Sequence, residues 1–197
     1  MNNAEFVFRL NPEIKIIIRI DEYDEEVPYC FYDASFYLWY KEEMIKLCYF
    51  SLQSYIDKLI EFLQRSLQNQ KQLPCYLAKN IGYVWNEYVN VSNHQKLSYA
   101  DKKYEFLENY YIWYSSYTTW IYNDEQGDII LEVTPSYPNT YSEKFSYKGF
   151  LAWMENYKSF LRVVIPQQVA ELWLMQATQI LAAIDENTQR LHAQGKL

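Results

Sequence analysis

Residues 110–134 read YYIWYSSYTTWIYNDEQGDIILEVT, and this stretch decides the fold class. At the period of two that a pleated strand imposes, Tyr110, Ile112, Tyr114, Ser116, Thr118, Trp120 and Tyr122 share one face. Tyr111, Trp113, Tyr117 and Ile121 are among the residues of the other face. The short segment Asp124-Glu125-Gln126-Gly127 follows, with a glycine suited to positive φ, and then Ile129, Leu131 and Val133 resume the alternation. Two alternating runs around such a loop predict a β-hairpin. Thr134 to Asn139 carries two prolines and stops the second strand.

Working outward toward the N-terminus, residues 4–10 and 13–20 read as strands joined by an Asn11-Pro12 turn. Ile14, Ile16, Ile18 and Ile20 fall on one face of the second. Residues 35–50 read as two strands about Lys41-Glu42-Glu43, with a single long helix as the competing reading. From Leu52 to Leu67 the pattern turns helical: Leu52, Tyr55, Ile56, Leu59, Phe62, Leu63 and Leu67 recur at helical spacing, and Ser51 is the expected N-cap. Residues 75–109 are the hardest to read. A helix or strand near Tyr83–Val91, a loop at Asn93-His94-Gln95-Lys96 and a helix near Tyr99–Glu108 are expected there.

Toward the C-terminus the pattern predicts helix throughout. Phe150, Trp153, Met154, Tyr157 and Leu161 form one stripe. Pro166 suits the first turn of a second helix, whose stripe is Val169, Leu172, Trp173, Ala177, Ile180 and Ile184, with fraying from His192. Strands early and in the middle, with helices between and after them, predict an α+β fold: an antiparallel or mixed sheet with helices packed on it. A single domain over 1–197 is expected for this length.

Half of the residues are hydrophobic and 19% are aromatic, 21 of them tyrosine, so a disordered chain is excluded. Only four glycines occur, at 82, 127, 149 and 195, too scattered to cradle a phosphate. That excludes the P-loop and the dinucleotide fingerprint, which need clustered glycines for close backbone approach. The net charge of −7 argues against nucleic acid, whose binding relies on Lys and Arg displacing counterions, and favours a cationic protein partner. The odd set Cys30, Cys48 and Cys75, with no CxxC, reads as free, mainly buried thiols in a cytoplasmic protein. No apolar run approaches membrane-spanning length.

Catalytic chemistry finds no foothold in the pattern. His94 has no Cys, Asp or Glu at metal-ligand spacing and His192 lies near the end, so neither a metal nor a cofactor is expected. A dyad of His94 with Cys48 or Cys75 is conceivable only through space. The feature that stands out is Asp21-Glu22-Tyr23-Asp24-Glu25-Glu26, five carboxylates in six residues. It reads as an exposed loop, either a solvated surface or a docking site for a basic partner, with Tyr23 as a packing anchor. The alternative binding face is the aromatic run 110–122.

The layout resembles the immunity proteins of bacterial contact-dependent inhibition and related polymorphic toxin systems. The resemblance rests on an opening sheet strand and the aromatic hairpin from Tyr117 to Val133. It continues with Phe150-Leu151-Ala152-Trp153-Met154 through Tyr157, a proline and the amphipathic segment Val169–Ile184. It implies a cytoplasmic, non-enzymatic protein that binds the C-terminal domain of a toxin and blocks its active site. A small-molecule or carbohydrate-binding module using exposed Tyr and Trp, and an enzyme of unrecognised type, are the alternative readings.

Overall fold

The computed structural model describes residues 2–24, 26–28, 32–77, 80–95, 106–138, 140 and 143–196. The fold is α+β, and the chain gathers into two compact units: Met1–Gln68 with Ile165–Leu197, and Asn69–Val164 between them.

Unit 1 begins with a four-stranded antiparallel meander in the order β1 (Asn2–Arg9), β2 (Ile14–Tyr23), β3 (Asp33–Tyr40), β4 (Glu43–Ser51). The first turn closes because the Asn11 side chain accepts the N–H groups of Glu13 and Ile14, both at 2.9 Å. The third is a tight two-residue turn, Lys41 and Glu42, both at positive φ (50° and 65°). That backbone matches the right-handed twist of the flanking strands, although neither residue is the glycine or asparagine such turns favour. The isoleucine alternation of β2 faces the core: Ile16, Ile18 and Ile20 are buried, and Phe36 and Leu38 lie opposite Ile18 and Ile16 on β3.

That apolar face is covered by α1 (Leu52–Leu67) and α4 (Gln167–Ala193), which also pack on each other. Ser51 caps α1 through its hydroxyl as expected. Phe36 meets Tyr55 of α1 edge to face, and Phe8 of β1 meets Trp173 of α4 in the same way. The buried stripe of α4 is Ala170, Trp173, Ala177, Ile180, Ile184, Asn187 and Leu191. Leu172, expected in that stripe, is exposed instead, and the helix continues past His192 to Ala193.

Unit 2 holds α2 (Ile81–Gln95), β5 (Tyr111–Tyr114), β6 (Tyr117–Asn123), β7 (Ile129–Pro135), α3 (Tyr147–Met154) and β8 (Leu161–Ile165), the last residue of which falls in unit 1. Its sheet has the order β5-β6-β7-β8. The helical reading for 83–91 is the one realised, and α2 continues through Asn93–Gln95, where a loop was expected. Lys96 and residues 99–105 of the helix expected at 99–108 lie outside the described residues; residues 106–109 form a single 3₁₀ turn. The C-terminal part is helical as expected, in α3 and α4, with the short strand β8 lying between them.

The hairpin of β6 and β7 forms as expected, with Gly127 at φ 85°. The stretch 110–122 is not one strand, however. It folds back at Ser115-Ser116, so that Tyr114 pairs with Thr118 and Trp113 with Thr119. A core of Leu73, Leu77, Ile81, Trp85, Val89 and Leu107 closes on Trp120, Tyr122 and Ile130. The buried Asn86 fastens α2 to the end of β7. Its amide donates to Gly82 O (2.7 Å) and Pro135 O (3.0 Å), and its oxygen accepts the Tyr137 N–H (2.8 Å).

Candidate binding surface

The acidic segment sits at one end of the unit 1 sheet, where β2 leaves it and β1 enters: Asn2 of β1 is opposite Tyr23. It is not a free loop along its whole length. Asp21, Glu22 and Tyr23 are the last residues of β2, because the isoleucine alternation carries the pairing with β1 past Ile20. Glu25 lies outside the described residues. Asp24 and Glu26 are exposed.

Two devices hold this segment in one shape. The Asp24 N–H donates to the Tyr32 hydroxyl, which donates in turn to the Asp24 carbonyl, each at 2.6 Å. The Asp24 carboxylate accepts the Glu26 N–H at 2.9 Å, and Val27 N–H closes the turn on Asp24 O at 3.1 Å. Tyr32 drew no notice in the sequence, since nothing in the spacing of one tyrosine reveals a bond to a backbone eight residues away.

The charge of the segment is partly answered from just past the C-terminus of α4, where Lys196 pairs with Glu26. This pair brings the last turn of the long helix to the acidic end of the sheet. Further carboxylates stand on the two helices. Asp57 of α1 titrates above the ordinary carboxylate range, first because it is partly desolvated and second because Asp185 of α4 repels its charge. Asp185 and its neighbour Glu186 are both exposed. The opposite end of the sheet is mixed in charge. There a cavity of about 660 Å³ is lined by Pro12, Glu13, Lys15, Trp39, Lys41 and Glu42, and the Lys15 ammonium lies 4.8 Å from the Trp39 ring centroid.

Most of the aromatic run 110–122 is turned inward. Ile112, Trp113, Trp120, Ile121 and Tyr122 are fully buried, and Tyr111 and Tyr114 pack against Trp85. The exposed aromatic residues lie elsewhere, with Tyr49 and Phe50 on β4 among them. Of the cysteines, Cys48 is buried and free, and burial pushes its thiol up to about 12. Cys75 is free but exposed, against the expectation of burial, because it lies in the turn after Pro74. Cys30 lies outside the described residues.

Unit 2 contains one cluster with the chemistry of a perturbed acid. Glu132 of β7 is buried, and its carboxylate accepts the hydroxyls of Tyr122 (2.7 Å) and Ser159 (2.9 Å). Arg162 on β8 reaches the Tyr122 hydroxyl at 3.3 Å and stands 4.0 Å from the carboxylate. Burial raises the Glu132 carboxyl above its ordinary range, opposed by the two hydroxyls and the guanidinium. Tyr122 is raised too, by burial first and by the Glu132 charge second. The satisfied bonds suit a device that ties β6, β7 and β8 together. Alternation along 129–135 placed Glu132 on a strand, but it could not reveal Ser159 and Arg162 arriving from the lead-in and the body of a strand not foreseen.

Comparison with protein-family models, with curated proteins and with solved structures found no match to this chain. Among the described residues, no helix is long and apolar enough to cross a membrane.

Proposed function

We propose that this chain is an immunity-type binding protein, which neutralises a bacterial toxin domain by direct protein–protein binding and catalyses nothing itself. The observation that supports this reading is the braced acidic end of unit 1. Asp24 and Glu26 are exposed, the Asp24 backbone is held by Tyr32 and the Glu26 N–H by the Asp24 carboxylate, and β2 enters that end with Asp21 and Glu22. A pre-shaped acidic edge loses little freedom on docking, and its field speeds encounter with a basic partner. In this reading the partner is a cationic toxin domain met in the cytoplasm, and the carboxylates stand where the toxin would otherwise hold a phosphate.

The test is to read the gene immediately upstream and, where it encodes a large secreted protein, to co-express that protein's C-terminal domain with this chain. Growth should be restored, and the two chains should elute as one complex. Replacing Asp21, Glu22, Asp24, Glu25 and Glu26 by Asn or Gln should slow association and flatten its dependence on salt. Absence of both protection and complex would defeat the reading.

The cavity around Trp39 favours a second reading, a small-molecule or carbohydrate site in which a ring stacks on the indole. A sugar panel that raises the melting temperature of the wild-type chain but not of Trp39→Ala would support it.

A further inference from the structure

The sheet of unit 1 ends at β1, and among the described residues no strand pairs with its outer edge. Which of its backbone groups are open follows from register. The Leu10 N–H bonds to Ile14 O at 3.0 Å, and the ladder continues Phe8↔Ile16, Phe6↔Ile18, Ala4↔Ile20. In an antiparallel pair the bonded residues alternate. The even-numbered residues of β1 therefore bond to β2, while Glu5, Val7 and Arg9 turn their N–H and C=O groups outward. Trp173 agrees with this assignment: its indole N–H donates to the Arg9 carbonyl at 3.1 Å, on the outer edge. No described backbone group bonds to the outward side of Glu5 or Val7.

Those open groups face a groove. A cavity of about 390 Å³ is lined by Glu5, Phe6, Val7 and Phe8 of β1 and by Gln176, Gln179, Ile180 and Ala183 of α4. One wall is an unsatisfied strand edge. The other is a helix face that offers two amides between apolar patches. Its ends differ in charge. Beyond Phe8 at one end, the next residue of β1 is the exposed Arg9. Toward the other, α4 continues past Ala183 to the exposed Glu186, and β2 reaches the acidic segment opposite Asn2. Arg19 does not reverse this, since it pairs with Glu5 at 2.8 Å, and Lys196 is engaged by Glu26. Arg190 and His192 are the basic residues of the last turn of α4.

We infer that β1 receives an extended segment of the partner as a fifth strand of the unit 1 sheet. The segment presents apolar residues toward Ile180 and Ala183 and carries Lys or Arg at the end that lies beside Asn2. Main-chain bonds to Glu5 and Val7 supply the affinity, and the charge difference along the groove sets the direction. Antiparallel addition, the commoner geometry, puts the basic residues at the C-terminal end of the segment. This deepens the binding-protein reading and rests on it.

The experiment uses the full chain and two labelled nine-residue peptides, (Val-Thr)₃ followed by three Lys or by three Glu, in fluorescence polarisation. The Lys peptide should bind saturably and about tenfold more tightly than the Glu peptide at low salt, the gap narrowing as screening increases. Val7→Pro removes an outward N–H without touching the β2 ladder, so it should fold and weaken the Lys peptide by about tenfold or more. Ala183→Trp, which fills the groove from the helix side, should do the same. Unchanged circular dichroism certifies both variants. Binding that survives both substitutions, or no saturable binding to wild type, overturns the inference. So does a homodimer that Val7→Pro dissolves, since the occupant is then a second copy. If the toxin domain still binds Val7→Pro with full affinity, the edge is not the site while the immunity reading stands. If the Lys peptide binds as expected but no toxin is neutralised, the site stands and the immunity reading falls.

Discussion

Gly82 offers a case in which two simple rules oppose each other and the structure decides between them. It is the second residue of α2, and replacing a helical glycine by alanine ordinarily stabilises by up to about 1 kcal/mol. Here the added methyl has no room. Its carbon would lie 2.5 Å from both Cβ and Oγ1 of Thr134 and closer still to the Tyr157 hydroxyl. Ordinary contact between such atoms needs about 3.5–4 Å, so α2 or β7 must give by about 1 Å. The tyrosine is the end of a flexible side chain and can swing away. Thr134 is held in a strand paired on β6, and α2 cannot retreat without straining the two hydrogen bonds that join Asn86 to Pro135 and Tyr137. Overpacking of this kind costs about 3 kcal/mol at the upper end of its range, leaving a net loss of about 2 kcal/mol for Gly82→Ala. For a chain of this length that corresponds to a fall in Tm of about 4–8 °C. Calorimetry of the variant beside wild type measures it directly. An unchanged or raised Tm would show that α2 is not seated on β7 as described.

Two further outcomes follow from the titrating groups. Because burial raises the Glu132 carboxyl in the folded chain, its contribution to stability is full below the unfolded value of about 4.3 and is lost as pH rises through the folded value. Wild type should therefore lose ground to Glu132→Gln as the pH of urea titrations is raised from about 4 to about 8, and parallel curves would refute the raised value. With an aromatic disulfide reagent, Cys75 should react at once in native protein and Cys48 only after denaturation, because the one is exposed and the other buried with its thiol held protonated. Rapid native reaction of Cys48, measured in Cys75→Ser, would contradict its burial.

Much of unit 1 was legible because its strands are half-buried and announce themselves by alternation. The isoleucines of β2 and the stripe of α1 each mark a single apolar face, and Ser51 marks the start of α1. Unit 2 was harder for a physical reason. β6 and β7 are buried along nearly their whole length, so alternation fades and the turn at Ser115-Ser116 hides inside an unbroken aromatic run. β8 is only five residues long and was absorbed into the helical stripe around it. The phase of α4 was misread at Leu172 because an exposed leucine looks the same in a sequence as a buried one. Of the candidate surface, the carboxylates were visible as a charge run. Their bracing by Tyr32, their meeting with Lys196 and the open edge of β1 depend on which segments lie side by side, and a single sequence does not carry that information.

The bond between Trp173 and the Arg9 carbonyl joins residues 164 positions apart, and it has a consequence for how the protein is made. Unit 1 is built from two segments of the chain that flank unit 2. At ribosomal speeds its sheet would wait on the order of ten seconds for α4 to be synthesised. During that wait Phe8, Ile16, Ile18, Phe36 and Leu38 have only α1 to cover them. The nascent chain is thus a natural client for a holding chaperone. Synonymous changes that slow translation within the Asn69–Val164 segment would lengthen its exposure and lower the yield of folded protein without altering one residue of the finished molecule.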